Sequence, residues 1–336
     1  MDLLTQGLLG AGLAQAGARQ HETRIATGVG FFAGLLADAD ILIQSSNDPL
    51  LTVEFHRHFT HSLFFVPLGA LIAAAILWLF VRRRLSFSRL YLFCFLGYCL
   101  SGVLDALTSY GTHLFWPVSE GRVALNIISV IDPIFTLILL IAVIYAYKQH
   151  KTIVARMGLT IAGIYLVFGW MQLQRAEAVA TTLAASRGHT IEQLIVKPTL
   201  GNLVLWRSIY ETDGKFYVDA IRVGLFSEAR VYAGDSITKF VPTLHLDPLP
   251  ENSVLAKDIA RFTVFSDGFV AIQPDQPNLL VDVRYSNLPT TVSPLWGIEM
   301  DMQNPGQHAH YRLFRDASKE TRQKFLTYLM GEPIEH

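Results

Sequence analysis

The chain has 336 residues, of which 51% are hydrophobic and only 16% are charged, and its mean hydropathy is +0.35. This composition is too apolar for an ordinary soluble protein and indicates a membrane protein. The formal net charge of −1, with basic residues scattered or in short clusters, gives no reason to expect a nucleic acid as a partner.

The first half of the chain contains several apolar stretches that approach the roughly twenty residues needed to cross a membrane. A Gly- and Ala-rich stretch over residues 3–18 comes first and can pack closely against other helices. The predicted spans after it are residues 27–44, 62–81, 90–108, 123–147 and 157–173. The sequence therefore predicts a membrane α-helical bundle of about five to six apolar helices.

Beyond residue 175 charged residues become frequent and apolar runs shrink to strand length. "RSIYETDGKFYVDAI" predicts a hairpin around an Asp213-Gly214 turn. "FVAIQ", "LLVDVRY", "LWGIEM" and "YRLFR" are further predicted strands, and "SVLAKDIARF" and "SKETRQKFLTYLM" have helical spacing. "QLQRAEAVATTLAASRG" should continue the last membrane helix. The chain thus divides into a transmembrane helical domain over residues 1–175 and an extramembrane α+β domain over residues 176–336.

Basic residues in the short loops predict the orientation, because such loops tend to stay in the cytoplasm. The basic residues of the two loops assigned to the cytoplasm are Arg82, Arg83, Arg84, Arg89, Lys148, Lys151 and Arg156. Counting the spans forward then places the C-terminal domain outside, in the periplasm of a Gram-negative cell.

Acidic residues within the predicted spans all fall toward the outer side. They are Asp38, Asp40, Asp105 and Asp132. An ionised carboxylate near the centre of a membrane helix costs roughly 2.5–3.5 kcal/mol, and Arg57 is the obvious nearby cation. The motif "HRHFTHS" adds His56, His58 and His61. A divalent metal ion held by carboxylates and imidazoles would balance this charge.

Spacing alone leaves the ligand set open. His56 and His61 are separated by about 140° on an ideal helix, so both reach one ion only if the helix begins between them. Asp38 and Asp40 point to nearly opposite sides of a straight helix. One of them should then bind the ion and the other orient a histidine, unless the helix unwinds there. Asp132 precedes Pro133, so a structural role is nearly as well supported.

Five motifs resemble those of the YdjM-like inner-membrane proteins, which are described as metal-dependent hydrolases. They are "TQGLLGAGLAQAG", "GLLADADIL", "HRHFTHS", "LDALTSYGTHLFWPVSEGRVAL" and "IDPIFTL", and they cover most of residues 1–145. Members of that family usually have "PDxD" where this chain has Ala37-Asp38-Ala39-Asp40, and Gly where this chain has His58.

The resemblance implies a multi-pass protein of the bacterial inner membrane. The family is distantly similar to zinc-dependent phospholipase C and to helical zinc nucleases, which implies phosphoester hydrolysis with zinc as the metal. The expected metal ligands are Asp38, Asp40, His56, His61, Asp105 and Asp132. The expected catalytic residues are Asp40, Asp105 and Arg57.

We therefore expect a membrane-bound metal-dependent hydrolase, surrounded by membrane lipids, that acts on phosphoester or lipid-linked substrates. Two other classes remain open. An ion- or proton-coupled transporter also carries buried Asp and His, and would show coupled flux without turnover. A metal-stabilised scaffold or sensor would act through the C-terminal domain and would keep its function when the ligands are replaced.

Overall fold

The computed structural model describes residues 1–45, 47–225, 227–245, 249–250 and 252–333. The chain divides into two compact units. The first comprises Met1–Ile43, Phe55–Met171 and Leu200–Leu203, and the second comprises Gln44–Glu54, Gln172–Thr199 and Val204–His336. The main block of the second unit therefore begins near the boundary predicted at residues 175/176, but Gln44–Glu54 also belongs to it.

Helices make up most of the chain to residue 186. The α-helices are α1 (Leu3–Ala16), α2 (Thr23–Leu36), α3 (Leu51–Phe55), α4 (Val66–Val81), α5 (Phe87–Tyr98), α6 (Ser101–Ala106), α7 (Pro133–Gln149) and α8 (Thr152–Ser186). Short 3₁₀ helices lie at Gln20–Glu22, Ala37–Leu42 and Phe59–His61. As predicted, α8 runs on through "QLQRAEAVATTLAAS".

Three helical stretches in the described part of the chain are long and apolar enough to cross a membrane: Gln20–Leu42, Phe87–Ala106 and Thr152–Ser186. A fourth span results if Leu51–His61 and Val66–Val81, which meet at a 90° bend, are taken together. Helix α7 is apolar but shorter, and most of α1 is buried. The predicted count of five to six spans is thus not confirmed; the structure gives three to four candidates.

Glycines allow α1, α2 and α5 to meet backbone to backbone. A Cβ atom on Gly30 would overlap the carbonyl oxygen of Gly10, and a Cβ on Gly97 would press against the carbonyl oxygen of Gly30. Small residues permit this close approach, which replaces side-chain interdigitation as the source of packing between membrane helices. The contact fixes α2, the helix that leads directly into Asp38 and Asp40.

Residues 123–132 are not helical, although the sequence predicts a helix over residues 123–147. Helix α7 begins only at Pro133, and Val123 forms an antiparallel bridge with Thr112. Asp132 is the N-cap of α7, where its carboxylate accepts a hydrogen bond from the Phe135 amide at 2.9 Å. An Asp cap followed by Pro is a favoured way to start a helix, so Asp132 has a structural role here.

The second unit is rich in β-sheet. Its strands are β1 (Gln193–Pro198), β2 (Leu205–Thr212), β3 (Lys215–Arg222), β4 (Arg230–Thr238), β5 (Val270–Gln273), β6 (Gln276–Asp282), β7 (Trp296–Glu299) and β8 (His310–Leu313). They form two four-stranded antiparallel sheets, β1-β2-β3-β4 and β5-β6-β7-β8. Its helices beyond α8 are α9 (Pro242–His245), α10 (Val254–Phe265) and α11 (Lys319–Met330).

The predicted elements of this unit are largely confirmed. Strands β2 and β3 pair around Asp213 and Gly214, which both have positive φ, as a tight two-residue hairpin turn requires. Strands β5 to β8 and helices α10 and α11 overlap the six other segments named from the sequence. Strands β1 and β4 were not predicted.

Residues 44–54 are fastened to α10 by one arginine. Arg261 donates two hydrogen bonds to the Glu54 carboxylate, both at 2.7 Å, and two to Asp48, at 2.9 and 3.1 Å. It also donates to Asp258 at 3.0 Å. Leu50, only 2% exposed, packs into the core that Phe262 helps to form. This segment is therefore an integral part of the second unit.

A lysine is buried inside the second unit. Lys197 on β1 is 6% exposed, and its Nζ atom lies 3.0 Å from the centre of the Tyr285 ring. Among the described residues, Nζ has no hydrogen-bond acceptor. Burial, followed by the nearby Arg284 guanidinium, lowers the pKa of Lys197 well below its ordinary value of 10.5. Folding therefore disfavours the protonated form of this amine.

We expect Lys197→Met to stabilise the protein at neutral pH and to flatten its pH dependence. Between the lowered pKa of the folded chain and 10.5, the unfolded chain binds a proton that the folded chain has lost, so the free energy of unfolding rises with pH across this window. Methionine has no ionisable amine, so it removes the free-energy cost of burying one. Unfolding of the full chain in detergent, measured at about pH 7 and about pH 9, checks the result. Lys215→Met, on an exposed lysine of β3, is the matched control.

Candidate metal centre

The 3₁₀ helix Ala37–Leu42 brings two aspartates to the same histidine. In a 3₁₀ helix, residues two apart are separated by about 120°, whereas an α-helix would place them nearly opposite. Asp38 Oδ1 lies 3.5 Å from His61 Nε2, and Asp40 Oδ2 lies 3.4 Å from His61 Nδ1. The two carboxylates thus face the two nitrogens of one imidazole ring.

Asp105 completes the group from helix α6. Its Oδ2 atom lies 2.9 Å from His61 Nε2 and 3.3 Å from Arg57 Nε, and its Oδ1 atom pairs with the Met1 amine. The side chains of His61 and Asp105 are fully buried. Asp38, His61 and Asp105 each offer a ligand atom, and these atoms all lie within 4.8 Å of one another.

Three buried polar atoms of this group form no hydrogen bond in the part of the chain that the structure describes. Within the described residues, His61 Nε2, Asp38 Oδ2 and Asp105 Oδ2 are buried and make no hydrogen bond; the close approach of His61 to Asp105 does not have hydrogen-bond geometry. Buried polar atoms nearly always form hydrogen bonds, so three atoms of one group that form none make this group the candidate for a bound cation. One imidazole nitrogen and two carboxylates are ligands that Zn²⁺ binds.

Asp40 orients the histidines and is not a member of the three-residue group. Its Oδ2 atom accepts hydrogen bonds from the Arg57 amide and the Thr60 hydroxyl, both at 2.7 Å. Its Oδ1 atom lies 3.3 Å from His56 Nδ1. A carboxylate behind a ligating histidine fixes the direction of the ring in many metal sites. The sequence had allowed one aspartate to bind and the other to orient; in the structure Asp38, and not Asp40, belongs to the three-residue group.

Three of the six predicted ligands lie outside the group: Asp40, His56 and Asp132. His56 contacts Asp40 and has 26% of its side chain exposed, so the structure places it at the edge of the site. Asp132 caps α7 and accepts hydrogen bonds from the Tyr165 hydroxyl at 3.0 and 3.1 Å. The predicted catalytic residues Asp40, Asp105 and Arg57 are brought together.

Gly102 is a residue of this site that the sequence analysis missed. A Cβ atom there would overlap the carbonyl oxygen of His61, so only glycine lets α6 approach the His61 backbone this closely. The signal in the sequence that could have identified Gly102 is its position one helical turn before Asp105. Tyr98 also supports this backbone, because its hydroxyl donates to the Thr60 carbonyl oxygen at 2.7 Å.

A second acidic group lies in the other unit. Asp48, Asp258 and His308 also have ligand atoms within 4.8 Å of one another. Here Arg261 donates to both carboxylates, and His308 Nδ1 lies 2.9 Å from Asp258 Oδ2. Because Arg261 and His308 already occupy these carboxylate oxygens, the group is best explained as an ion-pair network.

Apolar helices long enough to cross a membrane, together with a buried Asp/His cluster, indicate a membrane protein with a polar site. The chain belongs to the YdjM inner membrane protein family, whose model matches residues 1–176. A relative from Bacillus subtilis (strain 168), described as uncharacterized protein YfhP, is 30% identical over 256 residues, 74% of this chain and 72% of the relative. No solved structure matches the chain.

Proposed function

We propose that this protein is a membrane-bound, metal-dependent hydrolase of esters, with phosphoesters and lipid-linked esters as its substrate classes. The observation that carries the proposal is the buried group of Asp38, His61 and Asp105, with a polar atom on each that forms no hydrogen bond among the described residues. Leaving such atoms unpaired costs about 1–3 kcal/mol each, more for charged groups, and a cation repays that cost.

The residues of the site have separate roles in the proposed hydrolysis. Asp38, His61 and Asp105 hold a divalent ion, for which zinc is the candidate, and such an ion supplies Lewis-acid chemistry and lowers the pKa of water. Asp40 keeps the His61 ring in place and is the group that we assign to proton transfer. Arg57, which lies against Asp105, offers positive charge to the substrate oxygen on which charge develops.

The depth of the site favours a substrate from the membrane. Asp38 and Asp105 lie toward the ends of the candidate spans Gln20–Leu42 and Phe87–Ala106, so the reacting bond would meet the site near the membrane surface. We include α1 and α7 among the membrane helices, which gives a bundle of five to six. Hydrolysis adds the hydroxyl of water to the acyl carbon or phosphorus and leaves the proton on the departing alcohol.

Elemental analysis of the purified protein, paired with an ester hydrolysis assay, tests the proposal. We expect bound zinc in a fixed ratio to protein, loss of hydrolysis when a chelator removes the metal, and recovery when zinc is returned. Protein without metal, or hydrolysis that survives complete removal of the metal, contradicts it. Metal-dependent ion flux without ester turnover would favour a transporter instead.

Reporter fusions test the proposed orientation, in which the second unit is periplasmic. Seven basic residues in the two assigned inner loops support it. Fusions after Arg84 and after Lys148 should both report the cytoplasm, and a fusion after Arg230 should report the other side. A cytoplasmic signal after Arg230 would place the site at the wrong face for a periplasmic substrate.

A further inference from the structure

Exposed basic side chains gather at one end of the first unit, at the opposite end of α2 from Asp38. They come from four places in the chain: the segment between α1 and α2, the start of α2, the end of α7 and the start of α8. These residues, which we call the basic corner, are Arg19, Arg24, Lys148, Lys151 and Arg156, and all five are exposed.

Direct contacts hold the four helix ends of the basic corner together. The Arg24 guanidinium carbon lies over the Tyr147 ring, 5.3 Å from its centre, and so joins the start of α2 to the end of α7. Arg156 donates two hydrogen bonds to the Ala16 carbonyl oxygen, at 3.0 and 3.1 Å, and so joins the start of α8 to the end of α1. A turn of two residues connects α7 to α8. The basic side chains therefore share one surface.

No carboxylate neutralises the basic corner. The sequence has no acidic residue over 133–176 and one over 3–37, Glu22. Glu22 is already occupied, because Arg89 donates three hydrogen bonds to its carboxylate at 2.6 to 3.2 Å. Within the described ranges, none of the five residues of the corner forms a salt bridge. The chain as a whole has a net charge of −1, so this positive charge is a local excess.

Three of these side chains have donors to spare. Arg24, Lys148 and Lys151 donate no side-chain hydrogen bond to any described residue, whereas Arg156 is engaged with the α1 carbonyl. Tyr147, which holds the Arg24 guanidinium, directly precedes Lys148 in α7. These three cations are therefore available to an anion from outside the chain.

Exposed apolar side chains lie next to the basic corner on α7 and α8. Tyr145, Ile153, Met157 and Ile161 are each 51–59% exposed, and α8 forms the candidate span Thr152–Ser186. In a membrane these side chains contact acyl chains, while lysine and arginine at the helix ends extend toward the headgroups. A ligand that matches both surfaces has a negative head and apolar chains.

We propose that the basic corner binds an anionic phospholipid, with its phosphate held by Arg24, Lys148 and Lys151 and its acyl chains against α7 and α8. Clusters of basic residues at the ends of membrane helices attract anionic headgroups in this way. A zwitterionic headgroup fits less well, because it brings an ammonium group toward five cations. The inference is independent of the proposed hydrolase, since it requires neither a metal ion nor turnover.

Native mass spectrometry of the full-length protein in detergent tests the site. Phosphatidylglycerol should bind more tightly than phosphatidylcholine. Arg24→Gln combined with Lys151→Gln should weaken phosphatidylglycerol binding by about tenfold or more, because two cations at the headgroup are lost. Arg82→Gln combined with Arg83→Gln is the matched control, since it removes the same charge from the exposed turn between α4 and α5.

The control decides between a site and diffuse attraction. Equal weakening in the two double variants, equal binding of the two lipids, or unchanged affinity in Arg24→Gln/Lys151→Gln overturns the proposal. Thermal unfolding without lipid checks that both variants are folded. Lys148→Gln, which leaves the contact between Arg24 and Tyr147 in place, tests the same site by a separate substitution and should also weaken phosphatidylglycerol binding.

The water-soluble headgroup glycerophosphoglycerol tests whether the acyl chains take part. It carries the same phosphate diester without acyl chains, so it should displace phosphatidylglycerol only weakly. Displacement as effective as that by phosphatidylglycerol itself would mean that a soluble phosphate ester occupies the corner, which overturns the assignment to a lipid. Added salt should weaken lipid binding to the unchanged protein, because exposed charges are screened; an affinity that does not depend on salt contradicts the assignment to these cations.

Discussion

Replacing His61 with alanine is expected to release the bound metal and to abolish hydrolysis. His61 is the residue that Asp38, Asp40 and Asp105 all contact, at distances of 2.9 to 3.5 Å. Losing it removes a ligand and leaves three buried carboxylates with less compensating charge. The fall in zinc affinity should exceed the roughly 10–100-fold typical of losing an outer contact of a metal site. The metal content and the hydrolysis rate of the purified variant test this prediction.

Two histidine variants from the same motif provide controls. The sequence alone predicts that His56→Ala would lose metal as His61→Ala does, and that His58→Gly would be silent. The structure separates His56 from the ligands, because its contact is with Asp40. We therefore expect His56→Ala to retain metal. Equal metal loss in His56→Ala and His61→Ala would show that the ion lies between these two imidazoles and that the three-residue group is not its site.

Gly102→Ala is expected to damage the site although it removes no polar atom. The added methyl would occupy the position of the His61 carbonyl oxygen, so either α6 or the His61 backbone must move. Forced overpacking typically costs about 1–3 kcal/mol, and here the displaced backbone carries a ligand. We expect a lower unfolding temperature and weaker zinc binding together, measured by thermal unfolding with and without added zinc.

Gly163→Ala is the matched control for this prediction. Gly163 also lies in a helix, α8, but a Cβ there meets open space among the described residues. Alanine favours helix by up to about 1 kcal/mol over glycine, so this variant should be neutral or slightly stabilised and should bind zinc normally. Normal zinc binding in Gly102→Ala would mean that α6 can shift without moving His61.

The residues of the candidate site could be singled out from the sequence because buried charge is costly in a membrane helix. That argument singles out Asp38, Asp105 and the "HRHFTHS" motif without any knowledge of contacts. The roles within the group were not accessible. Whether Asp38 and Asp40 face one histidine depends on the switch from α- to 3₁₀-helix at Ala37, and apolar residues around that point fit either helix.

Predictions in the second unit succeeded where local chemistry determines the structure. The Asp213-Gly214 turn and the spacing of α10 and α11 are local signals, and they were predicted. Strand β4 was missed because six of its nine residues are exposed and a bulge disrupts the alternation. Gly102 was missed for a related reason, since its importance comes from a partner forty-one residues earlier in the chain.

Because residues 44–54 are anchored within the second unit, that unit cannot be exchanged for another domain by a single cut in the chain. In the sequence this segment separates Asp38 and Asp40 from His56 and His61, yet its polar contacts are made with Arg261. A chain cut after residue 175 would leave Asp48 and Glu54 without their cation and Leu50 without its apolar neighbours. The second unit is therefore not a detachable module: exchanging it for another would require matching substitutions inside the part that carries the site.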